Sequence, residues 1–169
     1  VVLGNLQKGS GLPNFAPVIS IPGVRLLLTQ AVAEAHGGEP SISLCDLSNA
    51  YLHAELLAED GKIVIKLPEA RARKRNAKYA LLKRALYGLK ISPRRWYDTI
   101  NKWLVGDGWT EQANCLYKKI LQDKTVLFMS LYVDDCIMAG GTVQQRTSEI
   151  QRIFAQFPGK MIEPTQLKD

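Results

Sequence analysis

The sequence is poor in the residues from which thiolate centres and disulfide frameworks are built: its 169 residues include three cysteines and two histidines. Cys45, Cys115 and Cys136 are odd in number and scattered. That argues against a disulfide scaffold and a cysteine-rich zinc site, and predicts buried free thiols in a reducing compartment. His36 and His53 have no acidic or cysteine neighbours at ligand spacing and read as structural. No apolar run approaches the roughly 18 residues of a spanning helix. The first residues show no charged segment followed by an apolar one. Neither a membrane partner nor a secretory signal is therefore expected. Internal repeats and low-complexity blocks are absent. Acid is scarce over one long stretch: from Lys62 to Arg95 there are 12 lysines and arginines and a single carboxylate, Glu69.

What is present suits one globular domain with a core of its own. The chain is 46% hydrophobic and 22% charged, with a net charge of +6. The charge is polarised, because the basic segment 62–95 is set against a net acidic remainder. Such polarity suits either a face for a polyanion or a plain solvated basic surface.

Glycines and prolines make the first 20 residues irregular. Pro22 opens a helix over 24–36 that Gly37-Gly38 ends. Residues 41–47 read as a buried strand delivering Asp46, and 49–57 as a short helix. Residues 62–67 alternate as a strand, 71–78 read as a basic loop, and 79–86 as mixed. Pro93 starts a helix to about Val105, with Trp96, Ile100, Trp103 and Leu104 on one face. Strands are expected at 116–121, 125–133 and 136–139. A final helix runs from a cap near Thr142 to about Phe157, with Ile150, Ile153, Phe154 and Phe157 inward. The fold class is α+β: an antiparallel sheet with helices packed on one face.

The run Leu131-Tyr-Val-Asp-Asp-Cys-Ile-Met138 sets two adjacent acids between apolar strands. A structural turn is one reading, since turns favour Asp. Hairpins, however, prefer Asn-Gly or Asp-Gly, and neighbouring carboxylates repel unless a cation neutralises them. Asp46 ends another apolar run. If the two runs pair, three carboxylates meet at one sheet end, an oxygen-rich set suited to Mg²⁺ and to two-metal phosphoryl transfer. The basic segment would then hold the polyanion.

Several segments, in order, resemble the reverse transcriptase of copia-type LTR retrotransposons (Pseudoviridae). They are Asn14-Phe-Ala-Pro-Val18 with Val24-Arg-Leu-Leu-Leu28, Leu44-Cys-Asp-Leu-Ser-Asn-Ala-Tyr-Leu-His53, Ile65-Lys-Leu-Pro68, Leu82-Lys-Arg-Ala-Leu-Tyr-Gly-Leu-Lys-Ile-Ser-Pro-Arg-Arg-Trp-Tyr97, Tyr132-Val-Asp-Asp135 and Ile137-Met-Ala-Gly140. The resemblance covers residues 14–157. It implies a right-hand polymerase palm (41–59 and 93–157), fingers-like segments (1–40 and about 60–92) and a tail (158–169), with thumb and RNase H absent. Asp46 and Asp134 would be the principal ligands of two Mg²⁺ ions, with Mn²⁺ as a substitute, and Asp135 would complete the cluster. Tyr51 matches the ring that disfavours a 2′-hydroxyl on the incoming nucleotide, where a core tyrosine is the alternative. Tyr87, Gly88 and Lys90 match the segment against nucleotide and template. Tyr132 would support the primer, and Lys83, Arg84, Arg94 and Arg95 would contact phosphates, with plain surface solvation as the alternative. Trp96, Trp103 and Trp109 read as core.

The implied activity is RNA-directed DNA polymerisation. Its partners would be an RNA or DNA template with primer, deoxynucleoside triphosphates and other regions of a retrotransposon polyprotein. The implied setting is intracellular, in a cytoplasmic virus-like particle or the nucleus. The departures are a nearly cation-free start, with only Lys8 before Gly9, and no continuation of the pattern after Phe157. They suit a fragment, or an inactive remnant that at most binds nucleic acid. A nucleotide cyclase is disfavoured by the lack of its Gly-Gly acidic turn. A basic RNA-binding module predicts no role for the acids.

Overall fold

The computed structural model describes residues 15–35 and 41–162. In chain order the elements are α1 (Ile21–Ala33), β1 (Ile42–Leu47), β2 (Val64–Lys66), α2 (Glu69–Arg75), β3 (Tyr79–Leu81), α3 (Ser92–Gly106), β4 (Thr110–Ala113), β5 (Leu116–Ile120), β6 (Val126–Tyr132), β7 (Asp135–Ala139), α4 (Val143–Gln156) and β8 (Gly159–Ile162). Two compact units result, Pro17–Ala50 with Ile100–Asp169 and Val1–Ala16 with Tyr51–Thr99. Among the described residues no helix is long and apolar enough to cross a membrane.

The first unit is built on a six-stranded sheet in the order β4-β5-β6-β7-β1-β8, with every neighbouring pair antiparallel. Successive side chains on a strand point to opposite faces, so the register sorts the sheet. One face carries Ile42, Leu44 and Asp46 of β1 beside Ala139, Ile137 and Asp135 of β7. The other carries Cys45 beside Cys136. On the first face α1 lays Leu27 and Ala31 onto Leu116 and Ala139, with Ile42, Phe128 and Ile137 around them. Ser20 caps this helix by accepting the Gly23 N–H at 3.2 Å, and Pro22 fills a first-turn position that needs no donor. On the second face the Tyr117 hydroxyl meets Asn101 of α3 at 3.2 Å. There too Arg146 of α4 donates to Ser43 at 2.9 Å. Trp103 and Phe157 pack edge to face at 5.7 Å.

The α+β class and the antiparallel sheet are as expected, but the helices lie on both faces. The reason is that α1 has an apolar stripe of its own to bury and meets the Ile42 end of the first face. It therefore packs with the sheet. Thr142 and Gln145 form a reciprocal capping box that starts α4. The expected tail contains β8, which hydrogen-bonds to β1, and β4 is an unforeseen edge strand. Cys45, Cys115 and Cys136 are buried free thiols, and Trp96 and Trp109 are buried. The expected helix end at Gly37-Gly38 and the reading of His36 lie outside the described residues.

The second unit holds a two-stranded ribbon, β2 with β3, and the first half of α3. The segment expected as a basic loop, 71–78, instead forms most of α2. None of its residues is buried; a Glu69–Arg73 ion pair one turn apart and Asn76 in left-handed conformation at its end support it. Ala54, Ala85, Leu89, Ile91 and Trp96 form the buried apolar part of this unit.

Candidate active site

Asp46 and Asp135 are direct partners across β1 and β7, so both carboxylates rise from the same sheet face. They lie four residues along the strand from Ile42, about 13 Å from the end that α1 covers. Asp134 occupies the β6–β7 turn, and its carbonyl accepts the Leu47 N–H at 2.8 Å. On the other side of β1, the Ser48 N–H donates to the Pro158 carbonyl at 2.7 Å. The end of β1 that bears Asp46 is thus held from both flanks. Gly159 makes this approach possible: a Cβ there would lie 2.4 Å from the Asp46 carbonyl oxygen.

The acid pair is not itself the turn. The two turn residues are Val133 and Asp134, and Asp135 is the first residue of β7. Val133 has φ 57°, a left-handed conformation that a β-branched residue adopts only under constraint. The turn it makes leads directly into Asp134 and Asp135. The Asp135 carboxyl is shifted above the ordinary carboxylate value, by partial burial first and then by the charges of Asp134 and Asp46. The three acids are therefore electrostatically coupled. Among the described residues no three carboxylates, imidazoles or thiolates are already gathered at metal-ligand spacing. Mutual repulsion opposes such gathering, and a divalent cation would remove it. The donor set, hard oxygens on a rigid sheet end, fits Mg²⁺.

Two further groups share this face. Tyr132 opposes Asp135 from β6 and is exposed. Lys160 opposes Asp46 from β8 and is also exposed. Asp46 thus stands between a like charge and an opposite one. Lys160 was not picked out by sequence reasoning, because only the pairing of β8 with β1 brings it there and no local motif signals that pairing.

The second unit collects the other expected residues. Tyr51 and Tyr87 touch, with ring centroids 4.4 Å apart. Gly88 has φ 93°, and Lys90 is exposed in the turn before α3. Lys83 and Arg84 are exposed, and Glu55 and Arg84 form a β-bridge. Arg94 is half-buried, pairs with Asp98 at 3.0 Å and lies 5.9 Å from the Tyr97 ring centroid. Arg95 corrects its expectation. Its guanidinium is buried against Asp60, donating from Nε at 2.8 and 3.0 Å and from Nη2 at 2.6 Å, and it also reaches Glu59 at 2.6 Å. A cation so engaged is a strut of the fold, its Nε and Nη2 donors taken by carboxylates.

A profile of the family described as "Reverse transcriptase (RNA-dependent DNA polymerase)" matches residues 8–165. The retrovirus-related Pol polyprotein from transposon RE1 of Arabidopsis thaliana is 30% identical over 128 residues, covering 75% of this chain and 8% of that protein. The corresponding polyprotein from transposon TNT 1-94 of Nicotiana tabacum is 25% identical over 146 residues, 83% of this chain and 10% of that protein. The transposon Ty1-DR4 Gag-Pol polyprotein of Saccharomyces cerevisiae is 29% identical over 124 residues, 72% of this chain and 7% of that protein. The chain spans a tenth or less of the length of each. With the family match running through both compact units and the carboxylates on one sheet face, the chain belongs to the reverse transcriptase family of RNA-dependent DNA polymerases, in its copia-type retrotransposon branch.

Proposed function

We propose that this chain carries the nucleotidyl-transfer centre of a retrotransposon reverse transcriptase, with Asp46, Asp134 and Asp135 holding two Mg²⁺ ions, or Mn²⁺ in their place. The observation that supports it best is the direct opposition of Asp46 and Asp135 beside the Asp134 turn, on a face that α1 leaves uncovered at that end. In this reading the six-stranded unit is the palm, and the β2–β3 ribbon belongs to the fingers.

When bound, the metals would supply charge neutralisation for the attacking primer 3′-hydroxyl and for the departing pyrophosphate. The chain's own part is positioning. The Val133 turn and the pinned end of β1 hold the backbone from which the carboxylates rise. The exposed Tyr132 ring supports the primer strand. Tyr51, backed by Tyr87, presents a ring that excludes a 2′-hydroxyl by size. Gly88 leaves backbone room beside the nucleotide, and Lys90, Lys83, Arg84 and Arg94 meet phosphates. The partners are a primed RNA or DNA template, deoxynucleoside triphosphates and other regions of a polyprotein. The setting is intracellular, in a virus-like particle or the nucleus.

Extension of oligo-dT on poly-rA with Mg²⁺ or Mn²⁺ tests the reading. The native chain is expected to extend, and Asp134→Asn to bind primer-template without extending. Equal extension by both would refute the carboxylate assignment. Binding without extension by the native chain would identify a nucleic-acid-binding remnant.

A further inference from the structure

Arg146 of α4 is 3% exposed, yet its hydrogen-bond acceptors are neutral. Nε donates to the Ser43 hydroxyl at 2.9 Å and Nη1 to the Ser41 hydroxyl at 2.6 Å. Nη1 also reaches the Gly140 and Gly141 carbonyls, at 2.9 and 2.7 Å. Burial lowers the pKa of this guanidinium, and Glu34, acting through its charge, offsets part of that. A buried cation without a carboxylate on it is costly, and an apolar side chain would pack α4 on the sheet without that cost.

The strand carries a matching oddity. Ser41 and Ser43 stand buried on the face of Cys45 and Leu47, while Ile42 and Leu44 take the face of Asp46. Apolar burial alone gives no reason for that order. The serines are two residues apart, so both hydroxyls point to one face, and the guanidinium offers its donors in a fixed fork. After a slip of β1 by one residue in either direction the fork would meet neither serine. The backbone bonds at Leu47 and Ser48 could be remade by other residues after a slip; the two hydroxyls could not. The Gly140 and Gly141 carbonyls directly follow β7, the strand of Asp135. Arg146 thus ties the side-chain order of β1 to the end of β7.

We propose that Arg146 is a positioning residue for the carboxylate centre: by engaging Ser41 and Ser43 together it fixes the register that sets Asp46 opposite Asp135. Its bearing on catalysis rests on the polymerase reading of those acids; its hold on the register does not.

Cys45 reports the register. It is buried on the face of Ser43, so β1 leaving register exposes it alone, whereas global unfolding exposes Cys115 and Cys136 as well. The full chain and its variants are pulsed with N-ethylmaleimide, the three thiols are read by peptide mass spectrometry, and primer extension is measured beside them. Arg146→Met keeps length and helix preference without the donors. It is expected to label Cys45 about tenfold faster, with Cys115 and Cys136 unchanged, and to slow extension by a similar factor. Ser43→Ala, which leaves α4 intact, is expected to shift Cys45 the same way by a smaller factor. Arg146→Lys, still a buried cation in need of oxygen acceptors, is expected to label more slowly than Arg146→Met. Labelling of all three thiols in step would reduce Arg146 to general stability and overturn the proposal. Cys45 as protected in Arg146→Met and Ser43→Ala as in the native chain would overturn it too. Selective Cys45 labelling with extension undiminished would overturn the positioning role. A native chain that does not extend would refute the polymerase reading, while the thiol pattern would still decide the register.

Discussion

Replacing Arg95 with alanine is expected to be the most damaging single change in the unit that holds it. The Asp60 side chain is fully buried, with 0% exposure. It accepts three hydrogen bonds from Arg95 and one from the Leu57 N–H at 2.7 Å. Without the guanidinium only the Leu57 donor remains, and a buried carboxylate is left nearly uncompensated. Losing one partner of such a pair costs about 3–5 kcal/mol, a large share of the roughly 5–15 kcal/mol that typically separates folded from unfolded chains. Urea unfolding followed by tryptophan fluorescence reads the loss. The combined change Arg95→Met with Asp60→Leu removes both charges and should recover most of it.

Acid gives an independent check on the same pair. Burial pushes the Asp60 carboxyl up. The Arg95 and Leu57 hydrogen bonds and the Arg95 charge outweigh that, and its value is held below the ordinary carboxylate range. A depressed value contributes stability above the unfolded value of about 3.9, and the contribution is lost as pH falls through the folded one. The gap between native chain and Arg95→Ala should therefore be full at neutral pH and close in acid. A deficit below about 1 kcal/mol, the range of an exposed pair, or a gap independent of pH, would refute the reasoning.

Val133→Asn should stabilise the chain by about 1 kcal/mol, because asparagine tolerates the left-handed conformation that costs valine roughly 1–2 kcal/mol; thermal melting would show a rise of about 2–4 °C. Gly159→Ala should cost about 1–3 kcal/mol and abolish primer extension, since its Cβ would press on the Asp46 carbonyl and the Phe154 ring and lift β8 from β1. Asp135→Asn should stabilise the metal-free chain at neutral pH by about 0.2–1 kcal/mol, by removing a like charge opposite Asp46. Since the native Asp135 value is raised, that gain should appear as pH climbs past the ordinary carboxylate range and vanish below it, as melting across pH would register.

Much of the sheet and its helices was legible because local signals agreed. The apolar runs in 42–47 and 126–132, the stripe in 92–106 and the Thr142 cap each point to the element that forms. Helix α2 was not legible, because it has no apolar periodicity. Its arginines, lysine and alanines are good helix formers, and propensity with one ion pair decides the conformation where packing does not. The turn was misplaced by one residue because a valine at positive φ breaks the rule by which turns are recognised, as constrained sites often do. The burial of Arg95 was invisible for a different reason. A basic residue in a basic stretch reads as surface, and its partner Asp60 lies far away in sequence.

These misses and successes meet in β1. Its residues alternate, with Ser43, Cys45 and Leu47 buried and Ile42, Leu44 and Asp46 on the other face. A slip of one residue would send Asp46 into the core and turn Cys45 outward, since side-chain parity on a strand is all or none. The local sequence does little to forbid that slip, because both faces of β1 are largely apolar. What forbids it is distant: the Asp134 carbonyl on the Leu47 N–H, the Pro158 carbonyl on the Ser48 N–H, and a glycine at 159 that lets β8 lie close against the Asp46 carbonyl. The acids are readable as residues, but their alignment is a property of β7 and β8. For this reason the glycine and the strained valine, neither of which carries chemistry, bear as directly on the candidate site as the carboxylates do.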